Sequence, residues 1–264
     1  MKTVLITGAF GGMGMAAAQL LASAGYRVLA LDRKCGEAQE GIIPIEADIT
    51  SEDSVRCAYK RACEITDELY AILHFAGLYM LDSFVEIEEE KLRKIFDVNL
   101  FGAMAVNRVF LPLICRGGKI LMTTSELAPL DPLPFTGIYA VTKAALDKYA
   151  YSLRMELQLL DIDVSVLRAG AVDTGMIGAS VAALDRFCEG TKLYSCNAER
   201  FKTIVNGVES RKIKPEKIAQ KTLKIITKRK PKFAYSINRN PLLLVLNALP
   251  KRLQLFAIRM ILKK

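Results

Sequence analysis

Only one histidine, His74, occurs in 264 residues. A zinc site built on imidazoles is thereby excluded, and a strand-buried His74 could not serve a nucleophile, so most hydrolase chemistry falls away. The six cysteines at 35, 57, 63, 115, 188 and 196 include no CxxC pair and no framework spacing. Reduced thiols, mostly core filler, in a reducing compartment are the expectation. With 52% apolar and 25% charged residues, 17 Gly and 9 Pro, the chain is neither disordered nor collagen-like. The first apolar run, ValLeuIle with its flanking Thr residues, is broken at once by Gly8, too early for a secretory segment, so a cytoplasmic location is expected. No repeat or low-complexity linker interrupts the sequence.

What is present is unevenly charged. Residues 209–264 hold 16 Lys+Arg against 2 Asp+Glu, a formal +14, whereas the remainder holds 21 basic and 26 acidic residues. The basicity is therefore local and points to an anionic surface near the C-terminal end. Short apolar runs begin at Lys2, Arg27, Ile42, Ala71, Lys119 and Val164, and stretches of helical period fill 13–24, 51–65, 86–115 and 139–160. Such alternation predicts an α/β, Rossmann-type doubly wound and mostly parallel sheet, its strands covered on both faces. A helix near 215–228 and a strand near 232–236 bring the expected sheet to seven strands. One domain over 1–240 is expected, with a tail at 241–264.

The first strand runs into Thr7-Gly8-Ala9-Phe10-Gly11-Gly12-Met13-Gly14 and then a helix. Glycines there permit a tight turn and close approach of a pyrophosphate, and the helix start supplies N–H donors. Asp32 ends the second strand where a carboxylate meets an adenosine ribose 2′-hydroxyl and repels a 2′-phosphate. Arg33 follows and would grip that phosphate, so the pair favours NAD and leaves NADP open. Tyr139 and Lys143 stand four apart on a helical stretch, which places an ammonium beside a phenol and lowers the phenol pKa from about 10. Ser125 ends a strand at the edge where open α/β sheets bind ligands.

Together these features resemble the short-chain dehydrogenase/reductase family over nearly the whole chain, with a hydroxysteroid- or retinol-dehydrogenase-like character. The family's TGxxxGxG is matched by Thr7, Gly8, Gly12 and Gly14, its YxxxK by Tyr139 and Lys143, its serine by Ser125 and its asparagine by Asn99. The resemblance implies catalysis by Asn99, Ser125, Tyr139 and Lys143, Asn99 holding a water that links Lys143 to solvent. It places the dinucleotide against Gly8, Phe10, Gly11, Gly12, Met13, Gly14, Asp32, Arg33, Asp48, Ile49, Ala76, Gly77, Val172 and Thr174, with Tyr139 and Lys143. It also implies a homodimer or homotetramer. The chain departs from the pattern at His74-Phe75-Ala76-Gly77, at Ala169 and at Phe10-Gly11. His74 is expected to be structural, taking over a hydrogen bond that ties the central strands. Glu126 reads either as a partner for a substrate hydroxyl or as a solvated carboxylate.

The substrate loop, about 175–211, carries Met176, Ile177, Val181, Leu184, Phe187, Leu193, Tyr194 and Phe201. It either lids a lipophilic alcohol or ketone, such as a steroid, bile acid or retinoid, or packs on the domain. In the tail, Leu253, Phe256, Ala257, Met260 and Ile261 share a helical face, with Arg252, Arg259, Lys263 and Lys264 around it. The tail is too short and interrupted to span a bilayer, and reads as a peripheral membrane anchor or as a helix packed on a subunit or the lid. A non-catalytic dinucleotide sensor is the alternative to an oxidoreductase; nucleic acid is not an expected partner, because the basic residues alternate with Leu and Ile rather than exposed aromatics.

Overall fold

Seven strands align in the order β3-β2-β1-β4-β5-β6-β7, all parallel. They are β1 (Thr3–Thr7), β2 (Arg27–Asp32), β3 (Ile42–Glu46), β4 (Leu69–His74), β5 (Ile114–Ser125), β6 (Asp163–Ala169) and β7 (Ala234–Ile237). This computed structural model describes residues 1–209 and 211–263; for 176–181, 206, 208 and 209 only the backbone path is described. The expectations placed on the side chains of Met176, Ile177 and Val181, and on Lys264, lie outside the described residues.

Alternating side chains of the central strands feed two cores. Leu5, Leu29, Ile72, Ile120 and Val164 face one way, against α2 (Glu52–Cys63), α4 (Gly102–Phe110) and α5 (Gly137–Leu157). Val4, Ile6, Val28, Leu73 and Leu121 face the other, against α1 (Gly12–Ser23) and α8 (Pro215–Ile226). Burial on both sides is why these strands read as unbroken apolar runs, each large side chain contributing roughly 2 kcal/mol relative to exposure. Pro44 is tolerated because β3 is an edge strand.

One expectation is refined and two are corrected. The predicted helix over 86–115 is α3 (Glu89–Phe96), a π-helical turn at Asp97–Phe101, α4, and a 3₁₀ turn at Leu111–Leu113. The substrate loop is not a loop but two helices, α6 (Gly175–Gly190) and α7 (Ser195–Glu209). The cysteines are not core filler: all six are free, Cys57, Cys63 and Cys196 are exposed, and the rest are half-buried.

The two ends of the α6–α7 excursion meet. Val172 pairs with Ile213 in a parallel bridge, Asp173 N–H donates to Ile213 O at 2.8 Å, and Lys212 pairs with Asp173 at 2.8 Å. Beyond β7 the chain forms α9 (Pro241–Ala248) and α10 (Lys251–Leu262). Phe135, just before α5, holds a left-handed backbone (φ 63°). Its ring sits among Phe187, Tyr194 and Phe201, at centroid distances of 4.6, 5.0 and 5.1 Å, which fastens the start of α5 to α6 and α7.

Candidate active site

The carboxyl ends of β1, β2 and β4 border a trough of about 640 Å³, and those of β5 and β6 a cavity of about 430 Å³. Met13, Phe75, Gly77, Tyr79 and Thr174 line both, so the two form one continuous cleft.

The trough is shaped by missing side chains. Gly8 has φ +66°, and a Cβ there would lie 2.5 Å from Ala76 N; one on Gly14 would lie 2.0 Å from Gly8 O; one on Gly12 would lie 2.7 Å from Thr174 Cγ2. Helix α1 has Gly11 at its N-cap with no side chain to cap it, so its first N–H groups stay uncapped beside the trough that Gly11, Gly12 and Met13 line. Phe10, Gly11, Met13, Asp32, Arg33, Asp48, Ile49, Ala76 and Gly77 line it as the sequence placed them, whereas Val172 lines the cavity. Asp32 accepts from Phe10 N–H at 2.9 Å and from Arg33 N–H at 2.8 Å, so its carboxylate also braces the glycine loop. Asp48 is held below the ordinary carboxylate value by the Thr50 hydroxyl and N–H, with Arg33 and Lys94 adding to the effect.

Ser125, Tyr139 and Lys143 converge on the cavity wall, all three buried. Burial pushes the Tyr139 phenol up to about 12, against the opposing pull of a hydrogen bond with Ser125. Burial likewise brings the Lys143 ammonium down to about 8. The expected lowering of the phenol by Lys143 is not seen: the ammonium is 5.8 Å from the ring centroid and donates instead to Thr123 O at 3.1 Å, and desolvation outweighs everything else. Thr123 Oγ1, on the same wall, is buried without a partner among the described residues.

Asn99 does not line the cleft. On the π-helical turn, its Oδ1 accepts from Leu78 N–H at 2.7 Å while its Nδ2 donates to Leu78 O at 2.9 Å and Thr142 Oγ1 at 3.0 Å. Its side chain is a strut for the 77–78 segment, between the trough and Lys143. A Cβ on Gly77 would lie 3.3 Å from both Asn99 Oδ1 and Lys143 Nζ.

His74 is buried and bonds through Nε2 to Asn107 Oδ1 at 2.8 Å, and Asn107 donates to the Tyr149 hydroxyl at 3.2 Å. It therefore ties β4 to α4 and α5, not to a neighbouring strand; Nδ1 has no partner among the described residues, and burial pulls the imidazole down to about 4. Glu126 is not a solvated carboxylate. It is buried on the cavity wall, raised in pKa by desolvation, and accepts from Asn240 N–H at 2.6 Å at the start of α9.

Sequence reasoning missed Tyr79, whose ring meets Tyr139 edge-on at 4.7 Å, and Arg211, Arg239, Pro241 and Leu243 on the cavity wall. For Arg239 a signal existed: it follows β7 at the carboxyl edge of the sheet. For Tyr79 there was none.

The family described as short chain dehydrogenase matches residues 2–185. The uncharacterized oxidoreductase YbbO of Escherichia coli K12 is 31% identical over 245 residues, 89% of this chain and 85% of that protein. Estradiol 17-beta-dehydrogenase 2 of Mus musculus is 31% identical over 190 residues, 67% of this chain, and this chain spans only 50% of its length in that match. Among solved structures, a 3-ketoacyl-(acyl-carrier-protein) reductase from Brucella melitensis complexed with NADH superposes with a TM-score of 0.72 at 22% identity, over 89% of this chain and 96% of the other.

Proposed function

This chain belongs to the short-chain dehydrogenase/reductase family, and from that premise we propose that it interconverts a secondary alcohol and a ketone on a lipophilic substrate, with NAD(P) as cofactor. The observation that carries the reading is the convergence of Ser125, Tyr139 and Lys143 on one wall of a cavity continuous with the glycine-lined trough.

The trough fits a dinucleotide on its own features: the Cβ-free surface at Gly8, Gly12 and Gly14 and the uncapped start of α1. Gly11, Gly12 and Met13 would hold the phosphates, Asp32 the adenosine ribose, and Lys143 the second ribose. When bound, the nicotinamide supplies the hydride that reduces the carbonyl carbon, or accepts it in reverse. The protein's part is the proton and the position. Ser125 and Tyr139 hydroxyls orient the substrate oxygen, and Tyr139 passes its proton to that oxygen in reduction or takes one in oxidation. A phenol pushed up to about 12 keeps its proton at neutral pH, which suits reduction; in oxidation the Ser125 hydrogen bond is the pull that opposes burial and favours the phenolate.

NAD is the cofactor that Asp32 favours, by repelling a 2′-phosphate; Arg33 and Lys34 on the same trough support NADP as the second reading. Leu127, Leu133, Phe201, Val205 and Leu243 make the cavity mostly apolar, which supports a steroid-, bile acid- or retinoid-like substrate. The charged groups Glu126, Arg211 and Arg239 on the same wall, and the likeness to a 3-ketoacyl reductase fold, support an oxoacyl compound as an alternative. Exposed Phe101 and Met104 on the α4 side, with Val141, Tyr151 and Met155 on α5, support association of two copies through these helices.

The test is a panel of lipophilic and short-chain ketones and alcohols with NADH, NADPH and their oxidised forms, read at the nicotinamide absorbance. Tyr139→Phe is expected to lose a factor of about 10³ or more in turnover while binding dinucleotide within a few-fold of the parent, since only the transferable proton is removed. Turnover within tenfold of the parent removes Tyr139 from the reaction. Dinucleotide binding with no turnover on any substrate would favour the non-catalytic sensor.

A further inference from the structure

We propose that α9 and α10 form a docking face for an anionic lipid bilayer, set against the wall of the substrate cavity. Helix α10 turns Leu253, Phe256 and Met260 to solvent, each more than half exposed and spaced i, i+3, i+7, so they lie in one stripe. A second exposed stripe runs beside it, Arg252, Arg259 and Lys263 at i, i+7 and i+11. On α9, Leu242 and Val245 are likewise more than half exposed, one turn apart. Isolated apolar side chains on a surface are ordinary, but two connected helices that each carry a stripe are not scatter.

The stripes are held in place. The opposite side of α10 buries Gln254 and packs Leu262 on the Leu184–Phe187–Phe201 cluster, while Asn197 Nδ2 donates to Leu262 O at 2.7 Å. The exposed face is therefore presented by a fixed helix. Helix α9 is a wall one helix thick: Pro241 and Leu243 line the cavity, and Leu242 and Val245 stand outside it.

Charge selects the occupant. Lys251 is spent on Asp131, but Arg252 and Arg259 are in no ion pair among the described residues. Arg252, Arg259 and Lys263 stand exposed along this face, so a second copy laid on it would bring like charge against like. An anionic lipid surface satisfies both stripes, acyl chains taking Phe256 and its neighbours and headgroups taking the arginines. Entry of a lipophilic substrate from the bilayer through the α9 wall would follow; that step rests on the proposed reaction, whereas docking does not.

The test is co-sedimentation of the full chain with vesicles of phosphatidylcholine alone and of phosphatidylcholine mixed with phosphatidylglycerol, at low and high salt. Binding is expected on the anionic vesicles only and is expected to weaken with salt. Arg252→Gln and Arg259→Gln should each weaken it roughly fivefold. The triple variant Leu253→Ser, Phe256→Ser, Met260→Ser should lose it with an unchanged melting temperature, because these side chains are already in solvent. Sedimentation with neither vesicle, or triple-variant binding equal to the parent's, overturns the proposal. So does a parent dimer that the triple variant turns into monomers without any lipid binding, which would give the face to a second copy. Turnover of a water-soluble ketone without vesicles, measured in parallel, reports on the reaction separately.

Discussion

At the scale of single residues, burial decides more than pairing does. Tyr139, Lys143 and His74 are each moved in the direction that suppresses charge, and the nearest opposite effects are smaller. For His74 this has a measurable consequence, made clean by its being the sole histidine. Its folded pKa, about 4, lies below the unfolded 6.5, so the folded state binds fewer protons. Stability from a neutral His74 is full above pH 6.5 and is lost as pH falls through the window down to about 4, amounting at most to about 3 kcal/mol. The imidazole proton resonance should stay at its neutral position down to pH 5, and the urea midpoint should slope downward between pH 6.5 and 5 in the parent but not in His74→Gln. A resonance that titrates near 6.5 contradicts this. The glycine loop, Ser125, Tyr139 and Lys143 were legible in the sequence because each belongs to a short motif with its own local geometry. The protonation state of the pair was not, since four residues of helix fix a shared face and say nothing about how much water the fold removes. Tyr79 was hidden too, for it reaches the cleft from a segment that only the tertiary structure brings there, whereas Arg239 could have been found from its place just after β7.

Elements were read best where one physical cause dominates. Strands covered on both faces announce themselves as apolar runs, and six of the seven were placed within a few residues, the exception being β5, which begins at Ile114 rather than Lys119. The π-helical turn at Asp97–Phe101 was invisible, because a hydrophobic period averaged over several turns does not register one widened turn. Yet that turn sets where Asn99 meets Leu78. In α10 the expected apolar face was real, but amphipathicity does not say which face meets protein, and the buried position is Gln254. The turn between β1 and α1 offers a sharp test of element geometry. Gly14→Ala puts a Cβ against the backbone of Gly8 and Ala9, which cannot rotate away, and is expected to cost about 2–3 kcal/mol and to weaken dinucleotide binding at least tenfold. Gly190→Ala at the end of α6, where nothing among the described residues lies within 4 Å, should be close to neutral. Thermal unfolding and a dinucleotide titration of the two variants check it; equal losses would mean that close packing is not what the loop requires.

On the scale of the whole molecule, Glu126 joins the end of β5 to the start of α9, so the wall of the cavity is tied to the strand that carries Ser125. Its carboxyl is raised by burial, meaning that the folded state holds the proton more tightly than the unfolded chain does. The stability this gives is full below the ordinary value of 4.5 and is lost as pH rises through the folded pKa. Glu126→Gln keeps an oxygen for the Asn240 N–H and drops the buried charge. It should therefore melt at or above the parent at pH 7–8, with the difference closing toward pH 4; a lower melting point at neutral pH refutes this. A parallel, doubly wound sheet of seven strands was legible from alternation, while the strand order and the joining of tail, lid and sheet were not, since they depend on contacts between segments far apart in the chain. The bridge between Val172 and Ile213 bears on how such a molecule can change over generations. The chain leaves the sheet for α6 and α7 and returns to the same point, so the whole excursion is a loop closed at its base by this clasp and steadied above it by Phe135 and Leu262. The entropy of closing a loop grows only with the logarithm of its length. Residues between the clasp's two halves are thus free to be lengthened, trimmed or exchanged at little cost to the sheet beneath, letting what the cavity accepts diverge while the proton-transfer residues on β5 and α5 stay where they are.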